Sequence, residues 1–306
     1  MEAPRVTIGL PVYNGERFLG ETIESILCQT FTDFLLVLSD NCSTDRTCEI
    51  CQAYADKDER VKYVRQATNV GAAENYNWAF KEARSEFFKW AAADDLLGPD
   101  FLRRCIEVLD GDPSLVIAYA KARFIDTDGK PLEVRDLGWH LVSEWPAERL
   151  AYVLSHGHWC NVVFGVIRRE ALARTSLIAD YPGQDYRLLG ELALIGKFYE
   201  VPAPLFLRRL HQGASSQNTE LDWQLEFFTP QKEDRICLPR WSRSIDHART
   251  IAGADLPLRD KLRLERILLR EMRWKRDKLA GEVRSALRQI VLGNTRHGRS
   301  SKSHSH

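Results

Sequence analysis

The sequence carries no net charge: 43 Lys and Arg residues balance 43 Asp and Glu. No global field therefore draws the chain to nucleic acid, and none is expected as a partner. It also lacks any run of about eighteen apolar residues, so nothing in it reads as a bilayer span. The seven cysteines are odd in number and without secreted-domain spacing, and the opening MEAPRVTIGL has no basic, hydrophobic, small-residue leader. The expectation is a reduced, cytoplasmic protein. Cys48 and Cys51 make a Cys-x-x-Cys but lack the second pair that a zinc site needs, so they read as structural thiols of one helix. No Gly-x-Gly-x-x-Gly or P-loop follows the first apolar run, which counts against dinucleotide or ATP use. No Gly-x-Ser-x-Gly elbow occurs either, which counts against a serine nucleophile.

What the chain does have is length and core. With 306 residues, 44% apolar and 28% charged, it can bury one large domain with an appendage. Its charge is uneven: from Arg259 onward there are 14 Lys and Arg against 5 Asp and Glu, so the tail is basic and the body acidic.

In the first half, strands alternate with helices. Val6–Tyr13 reads as a strand broken at Asn14-Gly15, and Phe18, Leu19, Ile23, Ile26 and Leu27 then recur at helical spacing. Phe34–Ser39 is wholly apolar, as suits a sheet covered on both faces. Asp40-Asn41-Cys42-Ser43-Thr44-Asp45 follows it, rich in helix-capping residues, and leads a helix ending near Ala55. Val61–Arg65 is a third strand, Asn69-Val70-Gly71 precedes a helix to about Ala83, and Phe87-Phe88-Lys89-Trp90 is a fourth strand. Helical crossovers of this length predict a largely parallel sheet.

The polar residues cluster where these strands end. Asp40 and Asp45 follow the second strand, Asn69 and Gly71 the third, and Asp94 and Asp95 the fourth; that edge is where open α/β sheets bind ligands. Adjacent carboxylates repel unless a cation lies between them, and Mg²⁺ or Mn²⁺ with phosphate oxygens completing its shell is the usual guest. A helix cap is the competing reading for a single Asp, and is the one preferred for Asp45.

These residues resemble the inverting nucleotide-sugar glycosyltransferases of family 2. The resemblance rests on Pro11-Val12-Tyr13-Asn14, Ser39-Asp40-Asn41-Cys42-Ser43-Thr44-Asp45, Asn69-Val70-Gly71 and Ala92-Ala93-Asp94-Asp95 with Leu97 and Pro99, in that order over about a hundred residues. It implies an α/β GT-A fold, a mostly parallel central sheet flanked by helices with a helical C-terminal extension. Residues 1–220 would form the catalytic domain, 221–293 the extension and 294–306 a disordered polar tail.

The resemblance also implies roles. Pro11, Tyr13 and Asn14 would form the first nucleotide loop, although Tyr13 could equally be a strand-end core aromatic. Asp40 would accept a hydrogen bond from the base, and Asn69 and Gly71 would let backbone approach ribose and phosphates. Asp94 would hold the metal bridging the diphosphate, as the last position of Asp-x-Asp. The first position is Ala92 here, a departure that shifts the metal grip to Asp94, Asp95 and a later residue.

Further along, Tyr181-Pro182-Gly183-Gln184-Asp185 resembles the family's acidic pair opening a helix, with Gln184 where Glu is common. Asp185 would be the general base, and as a helix cap it would be rigidly held. Leu205–His211 resembles the arginine-rich strand that ends in His. His211 would then be a metal ligand or phosphate contact, and Arg208 or Arg209 would support phosphate. His158 and Asn161 are acceptor-side candidates or structural residues.

The expected partners are a nucleoside-diphosphate sugar donor and a glycan or lipid-linked acceptor, in polysaccharide or glycan assembly. A silent nucleotide-sugar-binding protein is the alternative that Ala92 and Gln184 keep open. Past Leu221 the match fades. Leu262, Leu264, Ile267, Leu268, Met272, Leu279, Val283, Leu287 and Ile290 recur at near-helical spacing among Arg and Lys. Such a helix fits peripheral contact with the inner face of a membrane, or docking on the domain with its basic side in water.

Overall fold

The computed structural model describes residues 3–135, 138–156, 161–214, 223, 227–228 and 236–297. Its strands are β1 (Val6–Val12), β2 (Phe34–Asp40), β3 (Val61–Arg65), β4 (Phe87–Trp90), β5 (Leu96–Leu97), β6 (Leu115–Ile125), β7 (Pro131–Arg135), β8 (Val166–Arg168) and β9 (Lys197–Arg209). They form one sheet in the order β3-β2-β1-β4-β8-β6-β9-β5, with β7 on β6. Between and after them run α1 (Leu19–Leu27), α2 (Thr47–Ala55), α3 (Ala72–Lys81), α4 (Phe101–Gly111), α5 (Pro146–Ser155), α6 (Arg169–Ala173) and α7 (Asp185–Ile195). The chain goes on through α8 (Pro239–Gly253), α9 (Leu258–Trp274) and α10 (Arg276–His297).

Every residue of β1 and β4 is buried, because helices cover both faces of the sheet. Alternation along β4 sends Phe87 into one apolar core, with Ile8, Leu19 and Phe101, and sends Phe88 and Trp90 into the other, with Phe80, Leu150 and Leu188. Helix α4 buries Phe101, Leu102, Cys105, Ile106 and Leu109 at helical spacing against the first core.

The expectation of a mostly parallel sheet holds for β3-β2-β1-β4, which pair parallel throughout. Beyond β4 the sheet is mixed: β8 is antiparallel to both β4 and β6, and β6 pairs parallel with β9. A 3-10 turn at Val162–Phe164 leads into β8. The apolar run Val162–Ile167 thus yields a strand only over Val166–Arg168. Conversely, Pro202 and Pro204 do not end β9, which runs for 13 residues. Its register with β6 shifts between Ala120 and Ala122, and that irregularity relieves the ladder where a proline has no N–H to donate.

The two-residue β5 was not foreseen. It pairs antiparallel with β9, Leu96 opposite Leu207 and Leu97 opposite Phe206, and so fastens the residues just before it to the end of β9. Helix α10 continues to His297, four residues past the expected end of the extension at 293.

Candidate active site

The loops leaving β1, β2 and β3 are sewn together at one sheet edge. Asn14 (φ 50°) and Cys42 (φ 62°) turn the first two loops through the left-handed region, where Asn is tolerated. The Asn14 N–H donates to Ser43 Oγ at 3.0 Å, and the Thr44 N–H donates to Asn14 Oδ1 at 2.8 Å. Asn41 donates to Asn69 Oδ1 at 2.7 Å and accepts from the Val70 N–H at 2.8 Å. Gly71 has φ 85° and ψ 162°, a conformation reserved for glycine, and its N–H is taken by Asn69 Oδ1 at 2.9 Å. The Val70 and Gly71 amides thus hold the loop shut. Asp45 takes the Thr47 and Glu16 N–H groups at 3.0 Å each; it stands one residue before the cap position of α2, Arg46, and ties the helix start to the first loop.

Pro11 is buried, whereas Tyr13 is 45% exposed just past the end of β1. Asp40 lies beneath the loops with no exposed surface, accepting from the Ser43 N–H at 2.8 Å and the Tyr63 hydroxyl at 3.0 Å. In this conformation the Asp40 carboxylate braces the loop from below.

Asp94 and Asp95 leave β4 in a turn and diverge. Asp94 Oδ2 is 2.9 Å from His211 Nε2, so residues 117 apart in the chain meet as expected. Asp95 turns inward, 7% exposed, and accepts the Arg209 N–H at 2.9 Å. Burial and the neighbouring Asp94 push its carboxyl up to about 7, while burial brings Lys89 beneath it down to about 7. Asp95 is consequently not brought to Asp94 and His211 as a third ligand.

Arg209 also departs from expectation. Its guanidinium is fully buried, over the Phe18 ring at 4.5 Å. It donates to Asp94 O at 3.0 Å, Thr127 O at 2.9 Å, Asp126 O at 3.4 Å and the Glu21 carboxylate at 2.7 Å. Those contacts occupy four of the five N–H donors that a guanidinium owns, so Arg209 clamps the framework instead of facing phosphate. Its neighbour points the other way, as strand alternation requires. Arg208 donates to Asn161 Oδ1 at 2.6 Å and draws down the carboxyl groups of both Asp95 and Asp185.

Asp185 opens α7 and is half-buried. Burial pushes its carboxyl up to about 6, against the opposing pull of the Tyr186 N–H, Arg243 and Arg208. Beside it, Gln184 is 9% and Asn161 6% exposed, and Gln184 Oε1 and Asn161 Nδ2 have no hydrogen-bond partner. Unsatisfied buried polar groups are uncommon in a finished core and suit a place where a polar ligand docks. His158 lies outside the described residues.

Arg243, from α8, was not singled out in the sequence. Its guanidinium carbon stands 5.5 Å over the Tyr186 ring, and Nη1 lies 3.3 Å from where a Cβ on Gly183 would be, so it reaches the segment carrying Asp185. No local motif signals it, since the extension lies outside the matched blocks.

Among the described residues, no three His, Cys, Asp or Glu side chains are arranged to hold a metal. Asp94 and His211, joined by a 2.9 Å hydrogen bond, offer a carboxylate oxygen and an imidazole nitrogen, donor types that fit a divalent ion able to keep water and substrate oxygens in its other positions.

Comparison with known proteins agrees with this layout. The profile of the family described as Glycosyl transferase family 2 matches residues 7–175. The chondroitin synthase of Escherichia coli is 28% identical over 225 residues, 73% of this chain and 31% of that protein. The chain spans about half or less of the length of the curated relatives it matches. Among solved structures, S. aureus TarS 1-349 in complex with UDP-GlcNAc superposes with a TM-score of 0.66 at 20% identity, covering 88% of this chain and 72% of that one. The mannosyltransferase PcManGT from Pyrobaculum calidifontis, in complex with GDP-Man and Mn²⁺, gives 0.55 at 18% identity, covering 99% and 82%. The fold is GT-A.

Proposed function

The chain belongs to glycosyl transferase family 2, and on that premise we propose that it is a metal-dependent, inverting glycosyltransferase that moves a sugar from a nucleoside-diphosphate donor to an acceptor hydroxyl. The acceptor is a glycan or a lipid-linked glycan in polysaccharide assembly. One observation carries the reading: Asp94, in the turn after β4, meets His211, just past the end of β9, at 2.9 Å. TarS with UDP-GlcNAc and PcManGT with GDP-Man and Mn²⁺ support the donor class and the ion by analogy.

Asp94 and His211 would hold Mg²⁺ or Mn²⁺, which as a Lewis acid neutralises charge on the departing diphosphate. Arg208 adds a fixed positive charge on the same side, worth most in a site already desolvated. Asp185, with a carboxyl near 6, is mostly ionised at neutral pH yet more basic than a solvated Asp. It takes the proton of the acceptor hydroxyl as that oxygen attacks the anomeric carbon opposite the leaving group. A single displacement inverts the carbon and needs no covalent intermediate. Tyr13, exposed at the first loop, stacks on or packs near the base, and the loops behind it hold the ribose and phosphates.

The silent-binder alternative draws on Ala92 and on the inward turn of Asp95, which leave two ligands in place of three. Release of nucleoside diphosphate from UDP, GDP, dTDP and CDP sugars with Mn²⁺ tests both readings. Asp185→Asn is expected to slow turnover by about 10²–10⁴-fold, the usual worth of a general base, with nucleotide binding intact. Asp94→Asn is expected to lose the Mn²⁺-dependent thermal shift. Nucleotide-dependent stabilisation without turnover of any donor would favour the binder.

A further inference from the structure

Helix α9 has two faces, and only one is used by the fold. Leu264 and Leu268, at 0% and 8% exposure, enter the core with Leu150, Val153 and Leu154 of α5. The outer face carries Arg259, Arg263, Arg266, Arg270 and Arg273, all exposed. Their 4-3-4-3 spacing makes a single stripe on a helix, about 21 Å long at 1.5 Å per residue. Alongside lie Leu258, Leu262 and Leu269, exposed at 72%, 44% and 63%, and Trp274 at 83% ends the helix.

The charges of the stripe are not consumed within the protein. Arg259 approaches its sequence neighbour Asp260 at 3.8 Å, and Arg270 approaches Glu271 and the Ser155 hydroxyl at 3.4 Å each, all long contacts of exposed arginine side chains. Arg263, Arg266 and Arg273 have no carboxylate partner among the described residues. Like charges three and four residues apart destabilise an isolated helix, and a merely solvated face has no use for three leucines and a tryptophan. Helix α10 repeats the pattern, with Val283, Leu287 and Ile290 exposed at helical spacing and Arg284 and Arg288 beside them.

We propose that the outer face of α9 is a docking surface for an anionic lipid bilayer, its arginines facing lipid phosphates and its exposed leucines and Trp274 entering the headgroup boundary. A row of cations of this length matches an extended anionic surface better than a single bound anion. The apolar residues call for a hydrocarbon boundary, which a soluble polyanion lacks. Two copies meeting through this face would set arginine against arginine, which disfavours a symmetric dimer here. Each arginine near such a surface contributes roughly a factor of five in affinity.

Sedimentation of the full chain with phosphatidylcholine vesicles, with and without phosphatidylglycerol, tests this. Binding is expected to the anionic vesicles alone and to fall as salt rises. The triple variant Arg263→Gln, Arg266→Gln, Arg273→Gln is expected to weaken it on the order of a hundredfold. Leu262→Ser with Leu269→Ser is expected to weaken it at unchanged net charge. These positions are exposed, so thermal unfolding of every variant should match the parent. Equal partition to neutral and anionic vesicles would overturn the proposal, as would unchanged binding by the triple variant. A dimer in size-exclusion that disappears in the leucine variant would assign the face to self-association instead. No arm needs a sugar donor, so the outcome is independent of the transferase reading.

Discussion

At the scale of single residues, neighbours in sequence divide labour by strand direction and by burial. Asp94 faces His211 while Asp95 caps the backbone of Arg209, and Arg208 reaches Asn161 while Arg209 is sealed against Phe18 and Glu21. The motifs were legible because they lie in strand-end loops, but which member of each pair faces the loops and which the framework was not. That depends on the β5–β9 pairing, which no local pattern announces. The proposed base yields a prediction. Burial raises the Asp185 carboxyl to about 6 and Arg243 pulls it down, so turnover should rise as pH passes upward through about 6. Arg243→Ala removes the opposing charge and should move that limb to higher pH, while Arg243→Lys should largely restore it. A pH profile of nucleoside-diphosphate release checks this, and a limb in the same place for all three proteins would remove Arg243 from the account.

At the scale of elements, the strand-end loops act as one interlocked unit through Asn14, Ser43, Asn41 and Asn69. Gly71 is the weak point. Its φ of 85° with ψ of 162° lies where a Cβ is strained, so Gly71→Ala should cost about 1–3 kcal/mol. The Asn69 and Asn41 hydrogen bonds transmit that strain, so nucleotide binding should weaken along with it. Urea unfolding and a nucleotide thermal shift measured on one preparation check both effects. Apolar periodicity located the first four strands and the helices between them. It misses the 3-10 turn that takes the first half of the apolar run Val162–Ile167, and the continuation of β9 through Pro202 and Pro204, where residues 202–205 of β9 lie out of register opposite a single β6 residue. Both failures arise from pairing between distant segments, which a local window does not contain.

At the scale of the whole molecule, the helical extension is built into the structure. Leu264 and Leu268 of α9 and Ile251 of α8 belong to the same core as Trp90 and Leu188, and Arg243 of α8 reaches the segment carrying Asp185. Leu264→Ala should therefore destabilise the entire chain by about 2–5 kcal/mol, the usual cost of emptying a buried leucine site. Differential scanning calorimetry should show one transition shifted downward. A separate low-temperature transition would mean that the extension unfolds by itself. Among the described residues no helix is long and apolar enough to cross a membrane. By itself the sequence determined the α/β alternation, the polar strand ends and the family, because these depend on side chains near one another along the chain. Only the tertiary structure decided that Asp94 pairs with His211 while Asp95 and Arg209 serve the framework, and that an arginine from the far extension stands near Asp185. Those outcomes follow from which distant backbones pair and what each side chain must displace to be buried.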